Sequence, residues 1–143
     1  MIIEFNNEIL GLKLFIYVLK YKNKIAFAFP GPGTQYKNMG KPLFETQEVF
    51  RNSILQCEEI LEDYLPLSLT SLLYEDQESD NIHRIDMSQV AVFSFGYAMF
   101  KWLNHLGIRP DVVMGHSAGE YVAAVVSGIL SLEDALTTVF LRG

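Results

Sequence analysis

Asp111-Val112-Val113-Met114-Gly115-His116-Ser117-Ala118-Gly119-Glu120-Tyr121 is the stretch whose reading decides the fold. Val112, Val113 and Met114 form a short apolar run suited to a buried parallel strand, and residues 118–126 read as a helix. Between them stands GxSxG. A sharp strand-to-helix turn of this kind needs glycine two places either side of the serine, because strand and helix nearly touch there and leave no room for a Cβ. Ser117 then projects from the turn at a helix N-terminus, where backbone N–H groups and the helix dipole favour a developing negative charge. The bland alternative is a small-residue turn with a surface serine. The flanks argue against it: Gly119, Ala123 and Ala124, followed by Ser127 and Gly128, make a small-residue stripe that lets the helix lie close on a sheet.

The chain has 143 residues, half of them hydrophobic, and a formal net charge of −6, which suits one soluble domain. That charge argues against nucleic acid as a partner. A single cysteine, Cys57, leaves no internal disulfide framework and no cysteine-rich zinc site; no metal is expected, and a reducing cytoplasm fits. Cys57 falls with Phe50, Ile54 and Leu61 on one helical face and is expected to pack rather than react.

Residues 1–24 have no apolar stretch long enough to cross a bilayer and no signal-peptide pattern, so no membrane partner is expected. They read as a linker or preceding helix. Lys13, Lys20, Lys22 and Lys24 leave open a docking or membrane-surface helix. Residues 25–29 are an apolar run stopped by Pro30, which suits a central parallel strand ending at the ligand-binding edge of an α/β sheet. Residues 46–63 are amphipathic, with Thr46 as the expected N-cap, and residues 75–80 form an acidic solvated loop. From 88 to 106, Val92, Phe95, Met99, Trp102 and Leu106 recur at helical spacing ahead of Gly107 and Pro110. Gln89 near that helix's start reads from the residues alone as a solvated first-turn glutamine. Gly128 closes the helix after the serine, and Ser131 with Asp134 opens the next in a capping-box-like arrangement. The order of elements is that of an α/β layer fold.

GHSAGEYVAAVVSGILSLEDAL resembles the nucleophile segment of the malonyl-CoA:acyl-carrier-protein transacylase family, which includes the acyltransferase domains of polyketide and fatty acid synthases. Phe29-Pro30-Gly31-Pro32-Gly33-Thr34-Gln35 is similar to the family's FPGQGSQ loop, Ser88-Gln89-Val90-Ala91 to its TQPA segment, and Leu141-Arg142-Gly143 to its arginine motif, in the family's order and spacing. The resemblance covers residues 25–143. It implies the N-terminal part of an α/β-hydrolase-like large subdomain, with a short parallel sheet, flanking helices and the ferredoxin-like small subdomain missing.

By the same resemblance, Ser117 takes an acyl group from coenzyme A and passes it to the phosphopantetheine thiol of an acyl carrier protein, with no bound cofactor and with neighbouring synthase domains as partners. Arg142 holds the free carboxylate of a malonyl-type unit, a task for its planar fork of donors, and Gln89 and His116 also belong to the substrate site. The oxyanion donors are the N–H of Ala118 and that of the residue at Pro32, where proline has no N–H to give. From sequence alone Arg142 is equally a helix-end arginine. A serine needs a base, and of His83, His105 and His116 none is tied by sequence to the elbow; the family's base is a downstream histidine. His83, in a loop, stays open. Two other readings remain: a degenerate, non-catalytic docking remnant, and a serine α/β-hydrolase.

Overall fold

In the computed structural model, residues 24–75 and 79–143 are described in full. Of the first 23, only the backbone of four short strands is described: Ile2–Ile3 (β1), Asn6–Asn7 (β2), Leu12–Lys13 (β3) and Val18–Tyr21 (β4). The next strand, Lys24–Phe29 (β5), lies at the centre, and Val112–Gly115 (β6) runs parallel beside it with Phe27 opposite Val113 and Phe29 opposite Gly115. β4 pairs antiparallel with β5 and β1 with β4, giving the order β1-β4-β5-β6; β2 and β3 form a separate antiparallel pair.

The expected short parallel sheet is present as the β5–β6 pair, and the expectation for 1–24 is corrected. Where the backbone before Lys24 is described, at 2–3, 6–7, 12–13 and 18–21, it is strand and not a preceding helix; the other residues before Lys24 lie outside the described ones. The sheet is accordingly mixed, parallel only between β5 and β6. Val18, Leu19 and Tyr21 are good strand formers, and Tyr21 pairs with Lys24 across a connection of only two residues, the shortest common hairpin link.

Five helices follow in the described chain: Lys41–Thr46 (α1), Glu48–Leu61 (α2), Ile85–His105 (α3), Ala118–Val126 (α4) and Leu132–Leu141 (α5). Thr46 does not cap α2. It ends α1, its Oγ1 donating to the Pro42 carbonyl at 2.6 Å, and the extended Gln47 separates the two helices. Pro42 sits in the first turn of α1, where a missing N–H costs nothing, so a short helix nucleates ahead of the amphipathic one. A π-helical turn at Ser71–Glu75 and a 3₁₀ turn at Asn81–His83 lead into α3; the acidic loop expected over 75–80 falls partly on 76–78, outside the described residues.

α3 is the hub. It begins three residues earlier than its apolar spacing indicates and is buried almost all round from Met87 to Met99. Phe27 and Phe29 of β5 pack on one side of the core, Phe50, Ile54, Cys57 and Leu61 of α2 on another, and Ala135, Leu136 and Val139 of α5 complete it. Full burial of a large apolar side chain is worth about 1.5–3 kcal/mol, so this convergence on α3 is the main source of stability. Trp102 is half-buried, its Nε1 donating to Gln47 Oε1 at 3.3 Å, whereas Leu106, expected in the apolar stripe, lies past the helix end and is exposed. The α2 face expected from spacing holds: Cys57 is fully buried, and burial pushes its thiol up to about 12. β6 is a sheet edge, and its Val112 and Met114 remain 54% and 50% exposed on the side opposite its half-buried Val113.

Candidate active site

The elbow is held at both ends of β6. At its entry, Asp111 accepts the Ile25 N–H at 2.9 Å and the Lys24 ammonium at 3.0 Å, which keeps its carboxyl below the ordinary aspartate range. At its exit, the His116 N–H donates to the Phe29 carbonyl at 3.0 Å, carrying the parallel ladder to the threshold of the turn. Ser117 then takes φ 54° and ψ −120°, a conformation rare for a side-chain-bearing residue. A Cβ on Gly115 would collide with the Gly119 carbonyl, and one on Gly119 with the Phe29 carbonyl, so both glycines are required by close backbone approach.

Beyond Ser117 the first helical N–H groups find partners within the turn: Gly119 N–H to the His116 carbonyl and Glu120 N–H to the Ser117 carbonyl, each at 3.0 Å. The Ala118 N–H has no acceptor among the described residues and is available at the helix N-terminus.

The 31–35 loop packs directly on this turn. A Cβ placed on Gly31 would stand 2.9 Å from Ser117 Cβ and 2.8 Å from the His116 carbonyl, so only glycine lets the loop come this near. Inside the loop the Thr34 hydroxyl donates to the Gly31 carbonyl at 3.1 Å and the Gly33 N–H donates to Gln35 Oε1 at 2.7 Å. Pro32 has no N–H and that of Gly33 is committed to Gln35, so neither serves an oxyanion in this arrangement.

Arg142 follows α5, exposed, with its guanidinium carbon 5.4 Å from the centre of the Tyr121 ring. A cavity of about 210 Å³ is lined by Glu120, Tyr121, Ala124, Leu130 and Arg142. Glu120, Tyr121 and Ala124 are spaced i, i+1 and i+4, so the cavity lies on one face of α4, the helix that follows Ser117. Tyr121 and Gln35 were not singled out as site residues from sequence; the i+4 spacing of Tyr121 from Ser117 was the available signal.

Gln89 is 3% exposed, which corrects its reading as a solvated residue. Because α3 starts at Ile85, Gln89 lies past the first turn, and its Nε2 is covered by Gly143: a Cβ built there would be 2.8 Å away. The end of α5 thus brings Gly143 back against the start of α3. His116 lies exposed beside Gly31, and His105 is exposed at the far end of α3. His83 stands beside Gln35, its Nδ1 3.4 Å from Gln35 Nε2. No described hydrogen bond joins the Ser117 hydroxyl to a base. Among the described residues no group of three metal-ligating side chains is assembled, and no helix is long and apolar enough to cross a membrane.

An α/β scaffold with a strained serine between strand and helix is a nucleophile elbow, shared by hydrolases and acyl-transfer enzymes, and comparison decides between them. Residues 26–143 match the family model described as acyl transferase domain, and the chain belongs to that family. It is 38% identical over 119 residues to the pikromycin polyketide synthase component PikAIII of Streptomyces venezuelae, an alignment covering 83% of this chain and 8% of that protein. Among solved structures, the acyl transferase domain of ZmaA superposes with a TM-score of 0.79 at 37% identity, covering 88% of this chain and 30% of that one. The malonyl CoA-acyl carrier protein transacylase of Clostridium perfringens superposes with a TM-score of 0.74 at 29% identity, covering 82% and 35%. The chain therefore spans about a third of the length of such solved acyltransferases and far less of the polyketide synthase.

Proposed function

We propose that this chain forms part of an acyltransferase domain that moves a malonyl-type group from coenzyme A to an acyl carrier protein, with Ser117 as the covalent relay. Ser117 Oγ attacks the thioester carbonyl while a base takes its proton, and the coenzyme A thiol departs. In the second half the phosphopantetheine thiol of the carrier attacks the serine ester and the hydroxyl is restored. The base is a histidine elsewhere in the domain, as the family resemblance implies; His83 is bound up with Gln35 and His105 is remote. The Ala118 N–H stabilises the tetrahedral oxyanion.

The observation that carries this reading is the placement of Arg142 beside the Tyr121 ring of α4, the helix that begins directly after Ser117. A guanidinium there suits the free carboxylate of a malonyl unit bound as a serine ester, because its paired N–H groups match two carboxylate oxygens. Gln89, buried next to Gly143, fixes the wall from which Arg142 extends.

A non-catalytic docking remnant is the second reading. The occupied Gly33 N–H and the absent N–H of Pro32 favour it, because loss of one oxyanion donor typically costs about 100- to 1,000-fold in rate. The test is a chimera joining this chain to the remaining part of a related acyltransferase domain, mixed with malonyl-CoA and weighed intact. A malonyl ester on Ser117 supports the first reading, and none in a folded chimera supports the second.

A further inference from the structure

His83 was left open by sequence as a base, and the structure gives it a different position: next to the loop that covers the elbow. Gln35 Oε1 accepts the Gly33 N–H at 2.7 Å, which fixes the orientation of the amide, since an N–H can only be met there by oxygen. Its Nε2 therefore faces His83, 3.4 Å from Nδ1. An amide NH₂ only donates, so Nδ1 accepts and the ring carries its proton on Nε2. The contact joins residues 48 positions apart and ties the 3₁₀ turn before α3 to the loop after β5. Within that loop the Thr34 hydroxyl braces the Gly31 carbonyl, and Gly31 abuts Ser117 and His116.

We infer that Gln35 and His83 are positioning residues of the Ser117 site: the His83 ring orients the Gln35 amide, which holds the Gly33 N–H and so sets how the Gly31 turn is seated against the nucleophile elbow. Neither touches the reacting atoms. The pair also withholds the Gly33 N–H, next to Pro32, from any oxyanion, since it is spent on Gln35. The inference rests on reading Ser117 as the nucleophile, but its test does not require Ser117 to react.

The test is amide and imidazole nuclear magnetic resonance on the unreacted 143-residue chain in mildly alkaline buffer. The Gly33 amide is expected to exchange slowly with solvent, and Gln35→Leu to speed it by about fivefold or more, the worth of one ordinary hydrogen bond. His83→Ala, at an exposed residue and so safe for the fold, is expected to speed it less and to shift the Ser117 and Ala118 amide signals in the same direction as Gln35→Leu. Gln35→Glu keeps an oxygen for Gly33 but removes the donor to His83. It should restore slow exchange at Gly33 while moving the His83 ring proton from Nε2 to Nδ1, because a carboxylate can only accept there, so that the acceptor Nδ1 signal of the parent chain is replaced by a donor one. Rapid Gly33 exchange in the parent, or exchange unaltered by Gln35→Leu, overturns the inference. So do Ser117 and Ala118 signals that stay put in His83→Ala, because the contact would then stabilise a loop without positioning the elbow. A folded chimera that never accepts an acyl group, beside a chain that shows all these shifts, contradicts the proposed function and leaves the positioning intact.

Discussion

The guanidinium carbon of Arg142 lies 5.4 Å from the centre of the Tyr121 ring, and Tyr121 lies in the first turn of α4, the helix that follows Ser117. A charged group at the end of one helix is thus held beside the helix that the candidate nucleophile opens. At that distance the guanidinium is within cation–π range of the ring, which favours its charge beside Tyr121.

In the chimera with the rest of an acyltransferase domain, Arg142→Ala is expected to depress malonyl transfer and to spare acetyl transfer, because only malonyl carries the carboxylate. The loss expected for malonyl corresponds to about 2–5 kcal/mol, typical of removing one partner of a desolvated charge pair. Arg142→Lys should recover little, since an ammonium lacks the planar fork. Tyr121→Leu should cost less, in line with about 0.5–1 kcal/mol for an exposed cation–π contact. Competing malonyl- and acetyl-CoA turnover measures all three; equal losses for both substrates would assign Arg142 a structural role.

Pro32→Gln in the same chimera restores a backbone N–H at the family's oxyanion position. Single-turnover acylation should rise, by at most the roughly 100- to 1,000-fold associated with one such donor, while substrate affinity changes much less, since the donor acts on charge that develops only in the transition state. The Gly33 N–H is already bound to Gln35 and does not mask the effect. An unchanged acylation rate with the fold intact would show that the proline is tolerated.

The elbow was legible because its demands are local: glycines two places either side of Ser117, an apolar strand before and small residues after. The helical face around Cys57 and the Ser131 cap, whose Oγ accepts the Asp134 N–H at 3.0 Å, were legible for the same reason. Thr46 was misread because a threonine that caps the next helix and one that bonds back into the previous turn look alike in sequence. The burial of Gln89, the strand at 18–21 and the contact between His83 and Gln35 all depend on segments far apart in the chain. No local periodicity encodes such contacts.

Cys57 should be unreactive in the folded chain. It is fully buried, and with its thiol pushed up to about 12 the nucleophilic thiolate is scarce at neutral pH. Labelling by a thiol-specific disulfide reagent should therefore proceed at the rate of opening and accelerate in urea in step with loss of helix signal. Fast stoichiometric labelling without denaturant would contradict the packing of α2 on α3.

Asp111 makes the β5–β6 junction pH-dependent. Its folded-state carboxyl is held below the usual range, first by the Ile25 N–H and then by Lys24, so its stabilisation is present above the unfolded value of about 3.9 and is lost as pH falls through the folded value. Asp111→Asn should be less stable than the parent at neutral pH, and the two should converge only once the pH has fallen below the lowered folded-state value of Asp111. Urea midpoints across that range measure it; a constant gap would mean that the charge of Asp111 is irrelevant to the junction.

The most direct test of Ser117 as an acyl relay is the mass of the chimera after brief exposure to malonyl-CoA, followed by peptide mapping. One malonyl group per chain on Ser117, absent in Ser117→Ala and discharged by a phosphopantetheine-bearing carrier protein, is the expected result; the 143-residue chain alone, without a base, should acquire none. A correctly folded chimera that stays unmodified, or that carries the group on a residue other than Ser117, would contradict it.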